Sequence, residues 1–310
     1  MWRCSISSRA SSPTASSRRR RRRSGGSSSS SSCTGTATIA SYSETDVPQE
    51  TPAPKAIAIV TGAAGDIGRA IARRLAEGHD VVVLADIDGG AAERAARDLG
   101  DEARFVAVAC DVTDARSVAA MAEAASSRGL VRTLVNNAGA ARAVSLHDTT
   151  PEIWRMDNAL NLEAAFLCFR AVEEMLKRSR GSVVNIASVN GMAVFGHPAY
   201  SAAKAGLLHL TRLIAVEYGK FGIRANAVAP GTVRTQAWKA RAAANPQVFD
   251  EAKRWYPLER IVDPEDVANA VHFLAGPQAS AISGVCLPVD CGLTAGQAEI
   301  ARTFSQSSHY

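Results

Sequence analysis

"KAIAIVTGAAGDIGRAIARRLAEGHDVVVLAD", residues 55–86, carries the reading on which the fold rests. Its opening, "IAIV" (57–60), is a short uncharged apolar run, the composition of a strand covered on both faces. Gly62, Gly65 and Gly68 follow at once in "TGAAGDIGRA" (61–70), and "DIGRAIARRLAEG" then sets apolar residues at helical spacing. A second apolar run, "DVVVLAD" (80–86), closes the unit. A strand that turns through glycines into a helix lets the backbone approach a pyrophosphate, whose charge is met by the free N–H groups of the helix N-terminus. Alone, such a turn also serves an ordinary strand-to-helix corner. Asp86 strengthens the ligand reading. It ends the second run, 18 residues after Gly68, where a carboxylate accepts hydrogen bonds from both hydroxyls of an adenosine ribose and repels a 2′-phosphate. The expectation is a dinucleotide, NAD(H) in preference to NADP(H).

Outward from this unit the same alternation continues. "RFVAVACD" (104–111), "RTLVNNAG" (132–139), "GSVVNIAS" (181–188) and "IRANAVAPG" (223–231) are further strand-like runs, each expected to be buried on both faces. Between them lie "GGAAERAARDLG", "DARSVAAMAEAASSRG", "NALNLEAAFLCFRAVEEMLKRS" and "PAYSAAKAGLLHLTRLIAVEYGK", with apolar residues at helical spacing. Strand and helix repeated in this way specify an α/β protein, a doubly wound parallel sheet of Rossmann type in a single domain. That domain is expected over 55–295, after a leader and linker (1–54) and before a fraying tail (296–310).

A chain of 310 residues, 46% hydrophobic, is ample for one large buried core. Its net charge of +5 invites a nucleic-acid partner, but the basic residues are unevenly placed. Arg3, Arg9 and Arg18 to Arg23 precede residue 44 with no acidic residue among them, so the remainder carries 27 basic against 30 acidic side chains. The body is mildly acidic, and nucleic-acid binding is expected only through the Arg run, if at all. The Ser/Arg-rich leader is too polar to bury surface against its conformational entropy and is expected to be disordered. Its composition fits an organellar transit peptide cleaved before about Lys55. A nuclear-localisation or nucleic-acid patch, or an extended start with a cytoplasmic protein behind it, are the other readings. No apolar run reaches the ~18 residues of a bilayer span, so a soluble protein is expected. The six cysteines show no CxxC pair and no His at ligand spacing, which points to reduced thiols and no metal.

"AYSAAKAGLLHL" (199–210) places Tyr200 and Lys204 four residues apart, on one face of a helix. An isolated pair of this kind is ordinarily a surface Tyr with a Lys stem across it. It does not stand alone. "TGAAGDIG", "NNAG", the Ser188 of "NIAS", "YSAAK" and "PGTVRT" occur in an order and spacing that resemble the short-chain dehydrogenase/reductase family, over residues 55 to about 295. The resemblance implies a catalytic tetrad of Asn161, Ser188, Tyr200 and Lys204. It also implies a nucleotide loop of Gly62, Gly65, Asp66, Ile67 and Gly68, with Asp86 on the ribose and Asp111 and Val112 beside the adenine. Asn137, Ala138 and Gly139 would line the fourth strand's end, and Pro230, Gly231, Val233 and Thr235 would meet the nicotinamide and pyrophosphate. Taken singly, a helix cap for Asp111, a loop-stabilising amide for Asn137, a strand-end cap for Ser188 and a solvent-facing Asn161 are equally ordinary readings.

The chemistry implied is hydride transfer between NAD(H) and a secondary alcohol or ketone, with Tyr200 as general acid and base. A phenol near pKa 10 brought to about 7 needs roughly 4 kcal/mol of preferential phenolate stabilisation. Lys204 and an oxidised nicotinamide are the sources the sequence offers. Ser188 would hydrogen-bond the substrate oxygen, while the family comparison has Lys204 hold the nicotinamide ribose and Asn161 position a water of a proton relay. The alternatives are an organellar 3-oxoacyl-thioester reductase using NADPH, or a nucleotide-binding scaffold without turnover. The family also implies a homo-oligomer, dimer or tetramer, built on helices around 154–179 and 199–219. Two departures stand out. The family pattern has glycine at 66, where this chain has Asp, whose carboxylate either caps the helix or repels the pyrophosphate. Cys291 stands where a second glycine is usual. Substrate contacts are expected from 140–147, 189–198 and 234–260, the last with Trp238, Phe249, Trp255 and Tyr256 as an amphipathic lid or an ordinary packed helix. His197 is expected to hydrogen-bond a loop rather than substrate.

Overall fold

β1 (Ala56–Thr61), β2 (Val81–Asp86), β3 (Phe105–Ala109), β4 (Leu130–Asn136), β5 (Ser182–Ile186), β6 (Arg224–Pro230) and β7 (Cys286–Val289) form one sheet in the computed structural model. It describes residues 53–101, 103–238, 243 and 245–310. The strand order is β3-β2-β1-β4-β5-β6-β7, with every neighbouring pair parallel. This is the expected doubly wound sheet. Because β1 leads to β2 on one side and adjoins β4 on the other, the crossovers change direction there and leave a crevice at the strands' carboxyl ends.

The helices are α1 (Asp66–Leu75), α2 (Gly89–Leu99), α3 (Ala115–Ser126), α4 (Pro151–Asn158), α5 (Ala164–Ser179), α6 (Pro198–Tyr218), α7 (Val248–Lys253), α8 (Pro264–Ala275) and α9 (Ala298–Ser305). Alternation along β1 feeds two cores. Ala58 and Val60 face the layer of α1 and α8, with Ile71, Leu75, Val267 and Val271. Ile57 and Ile59 face that of α3 and α5, with Met121, Phe169, Val172 and Leu176. Complete burial of an Ile or Leu side chain contributes about 1.5–3 kcal/mol, so these alternating layers dominate the fold's stability. The helix starts carry local signals: Asp88 and Asp114 accept from the backbone N–H groups of Ala91 and Arg116, and Thr150 accepts from Ile153 ahead of Pro151.

Three expectations change. β3 is an edge strand and is only partly covered, because no strand lies beyond it. The edge strand β7 and helix α8 add to the predicted elements. "CLPV" is too short and too Pro-interrupted to read as a strand. By contrast α8 carried a legible start, Pro264 at its first position within a capping box of Asp263 and Asp266. The tail expected to fray contains α9, whose Ile300 and Phe304 are exposed. The predicted leader lies outside the described residues up to residue 52, as do Cys4 and Cys33, while Cys110, Cys168, Cys286 and Cys291 are free thiols. Among the described residues no helix is long and apolar enough to cross a membrane.

Candidate active site

The crevice between β1 and β4 is a cleft of about 1010 Å³, lined by the glycine turn, Asp86, Asp111, Val112 and the segment Asn137–Ala140. Its floor is built by close backbone approach. Gly62 has φ +61°, and a Cβ there would lie 2.8 Å from Ala138 Cα. A Cβ on Gly68 would lie 2.4 Å from the Gly62 carbonyl oxygen, so only glycine lets α1 start this close to β1. At Gly65, by contrast, a Cβ would meet only that same carbonyl, at 3.6 Å, and the α1 N-terminus faces open space. Thr61, which the sequence reading missed, stitches the floor. Its Oγ1 accepts the backbone N–H groups of Asn137 (3.0 Å) and Ala138 (3.1 Å). Asn137 donates its amide to the carbonyls of Thr61 (2.9 Å) and Gly62 (3.0 Å), so its side chain does the loop-stabilising work while its backbone borders the cleft.

Asp86 accepts from the backbone of Ala64 (3.0 Å) and Asp88 (3.2 Å), which holds its carboxylate at the rim of the cleft. Asp111 does not cap α3, a role taken by Asp114. It accepts from the hydroxyl (2.6 Å) and N–H (2.9 Å) of Thr113, and these bonds hold its carboxyl below the usual range. Ile67 and Thr235 border the cleft as expected. Pro230, Gly231 and Val233 do not. Pro230 and Val233 are buried, and Gly231 is packed against Tyr256 and Asp290. The cleft's volume and its exposed helix N-terminus fit a dinucleotide, and the acid at its rim suits a ribose diol.

Beside the cleft the structure brings the tetrad together. Ser188 follows β5, and Tyr200 and Lys204 share one face of α6, with Lys204 Nζ 5.4 Å from the centre of the Tyr200 ring. A buried polar chain sets α6 against the sheet: Asn136 donates to Asn185 (2.8 Å), which donates to Thr211 (2.8 Å). Asn161 is buried, not solvent-facing, and sits in a π-helical turn (Ala159–Glu163) between α4 and α5. Its amide donates to the carbonyls of Ala140 (2.8 Å) and Asp157 (2.9 Å), while its Oδ1 has no partner among the described residues. A Cβ on Gly139 would lie 2.7 Å from that oxygen and 3.3 Å from Lys204 Nζ, so the two polar atoms flank one point.

Burial raises the Tyr200 pKa, with a hydrogen bond from Ser188 acting the other way. Burial also lowers the Lys204 pKa to about 7, and its Nζ donates to the Ile186 carbonyl at 2.7 Å. Both groups share one dry site, where desolvation penalises either charge. Two further sets of residues escaped the sequence reading. Asn190 donates its backbone N–H to Ser188 Oγ (3.2 Å), has its Oδ1 within 3.3 Å of that hydroxyl, and donates its amide to the Gly196 carbonyl (2.9 Å) and Ser201 (3.2 Å). The buried Asp157 carboxylate pairs with Arg142 at 2.5 Å. His197 Nδ1 lies 2.9 Å from the Ala143 carbonyl, as a loop hydrogen-bonder should. In the expected lid Trp238 packs beside Phe249, but Tyr256 is core: its hydroxyl accepts the Thr232 N–H at 2.9 Å.

Residues 62–294 match a family model described as enoyl-(acyl carrier protein) reductase. A cis-4-hydroxycyclohexanecarboxylate dehydrogenase of Sinomonas cyclohexanicum is 42% identical over 77% of this chain and 96% of its own. A galactitol 2-dehydrogenase (L-tagatose-forming) of Cereibacter sphaeroides is 37% identical over 77% of this chain and 95% of its own. The crystal structure of a short-chain dehydrogenase/reductase family oxidoreductase from Burkholderia thailandensis superposes with TM-score 0.76 at 45% identity, covering 83% of this chain and 99% of that one.

Proposed function

The chain belongs to the short-chain dehydrogenase/reductase family, and from that premise we propose that it interconverts a secondary alcohol and its ketone with NAD(H), using Tyr200 as general acid and base. It is an NAD(P)-dependent oxidoreductase of CH–OH groups. The observation that carries the finer reading is the placing of Tyr200 on one helical face with Lys204, whose Nζ lies 5.4 Å from the ring centre, beside a cleft floored by glycine. In the oxidising direction Tyr200 accepts the alcohol proton, while Ser188 holds the same oxygen in place. Bound NAD⁺ supplies the hydride acceptor and a positive charge that favours the phenolate. Lys204, anchored on the Ile186 carbonyl, and the free acceptor of Asn161 give the departing proton a polar route behind Tyr200.

Asp86 supports NAD(H) over NADP(H), because a 2′-phosphate at the rim would face its carboxylate. The test is steady-state kinetics with both cofactors over secondary alcohols, polyols and hydroxyacyl thioesters. We expect kcat/KM at least tenfold higher with NADH than with NADPH, and the reverse order overturns the preference. A homo-oligomer is part of the reading, supported by Phe166 of α5 and Leu213 and Val216 of α6, apolar side chains left exposed. Light scattering on the purified protein checks it. The acyl-carrier description of the family model favours, as second reading, a thioester-linked substrate, a 3-oxoacyl thioester reduced at its 3-carbonyl with NADPH, which the hydroxyacyl thioesters of the same panel test.

A further inference from the structure

Asp66 stands where the family pattern has glycine, at the first position of α1, where the helix N-terminus would meet a dinucleotide's pyrophosphate. A carboxylate turned into the cleft there would repel that ligand. Instead, its Oδ2 accepts the backbone N–H of Gln236 at 2.6 Å, across 170 residues of sequence. Gln236 opens a single 3-10 turn (Gln236–Trp238) and directly follows Thr235, which borders the cleft. The stretch just before it is held from the other side: Arg234 donates its N–H to the Val262 carbonyl (2.8 Å), and Val262 donates to that of Thr232 (3.0 Å). Asp66 supplies the anchor from α1. Asp66, Thr235 and Gln236 also border a second cavity of about 560 Å³, reaching Arg73, Arg234 and Phe249, so the carboxylate–amide bond stands as the partition between two spaces. Two of the neighbouring guanidinium groups are engaged elsewhere, Arg69 with Asp98 (3.0 Å) and Arg234 with Asp263 (3.3 Å).

We propose that Asp66 is a positioning residue that latches residues 235–238 across the pyrophosphate end of the cleft, so that dinucleotide exchange requires this bond to break. The inference rests on the NAD(H) reading given above. The bond performs two tasks at once: it engages the carboxylate with an N–H donor at the boundary of the cleft and ties the two walls together. D66G, which restores the family residue, removes both the acceptor and the charge. D66N keeps an acceptor and removes only the charge.

Two measurements test the latch. In the ligand-free protein, amide hydrogen exchange across residues 232–238 is expected to quicken about tenfold in D66G and to stay close to the unsubstituted rate in D66N. By stopped-flow NADH fluorescence, the dissociation rate constant is expected to rise about tenfold in D66G, the size of one lost hydrogen bond to a charged group, and to change less than threefold in D66N. Unchanged exchange in D66G overturns the latch, and so does faster exchange with an unchanged dissociation rate. If the unsubstituted protein fails to bind NADH, the NAD(H) reading falls and the latch with it. If it binds NADH with kinetics indifferent to D66G, only the latch falls.

Discussion

The two ends of the active site are built on opposite principles. At the glycine turn the backbone is stitched by Thr61 and Asn137, and backbone atoms approach until no Cβ fits at Gly68. At the Tyr200 end, charge-bearing groups are held under strain of solvation: burial disfavours the charge of both the phenol and the ammonium, and Asn161 Oδ1 has no partner among the described residues. On the proposed reading the first end binds by shape and by fixed N–H dipoles, which need no titration, while the second moves protons through groups whose titration their surroundings shift.

The largest effect expected to break this contrast is Tyr200→Phe. It should lower kcat by about 10⁴-fold, toward the upper range for general acid–base catalysis, while NADH binding measured by fluorescence stays intact. Equal loss of both would place Tyr200 with the binding end instead. Next comes Lys204. Its pKa of about 7 lies below the ordinary 10.5, so between these values the unfolded chain holds a proton that the native one lacks. Stability should therefore rise as pH climbs from 7 to 10.5, by up to about 5 kcal/mol at ~1.4 kcal/mol per unit. Urea unfolding of Lys204→Met should lack that slope, and an unchanged slope would clear Lys204 of the cost.

At the other end, Gly68→Ala drives a methyl against backbone that cannot step aside. A loss of about 3 kcal/mol in urea unfolding is expected, with NADH affinity reduced and no change in the pH profile of the remaining activity. The smallest effect sharpens the contrast within the catalytic end. Asn190 Oδ1 accepts from the Ser188 hydroxyl (3.3 Å) without lying in the tetrad, so Asn190→Ala should lower kcat about tenfold with KM nearly unchanged. A rise in KM alone would make Asn190 part of the pocket wall.

Much of this was legible in the sequence because it is local. β-branched runs, glycine turns and caps act within a few residues, so six strands could be read directly, while the tetrad positions came from the resemblance to a family. α8 could have been read the same way from Pro264 and its capping box. The Asp157–Arg142 pair and the grip of Asn190 on Ser188 and Ser201 could not, because a lone acid in α4, an arginine in a loop and an asparagine in a 3-10 turn carry no pattern that announces a partner.

By itself, then, the order of residues determined a parallel sheet, its glycine turn and a Tyr–Lys pair on one helical face, since each follows from spacing along the chain. Tertiary structure alone decided which way Asp66 points, that Asn161 faces inward from a π-turn, and that Lys204 sits where water cannot support its charge. Side-chain direction and dielectric surroundings depend on what folds against a residue from elsewhere, and neither is written in its neighbours.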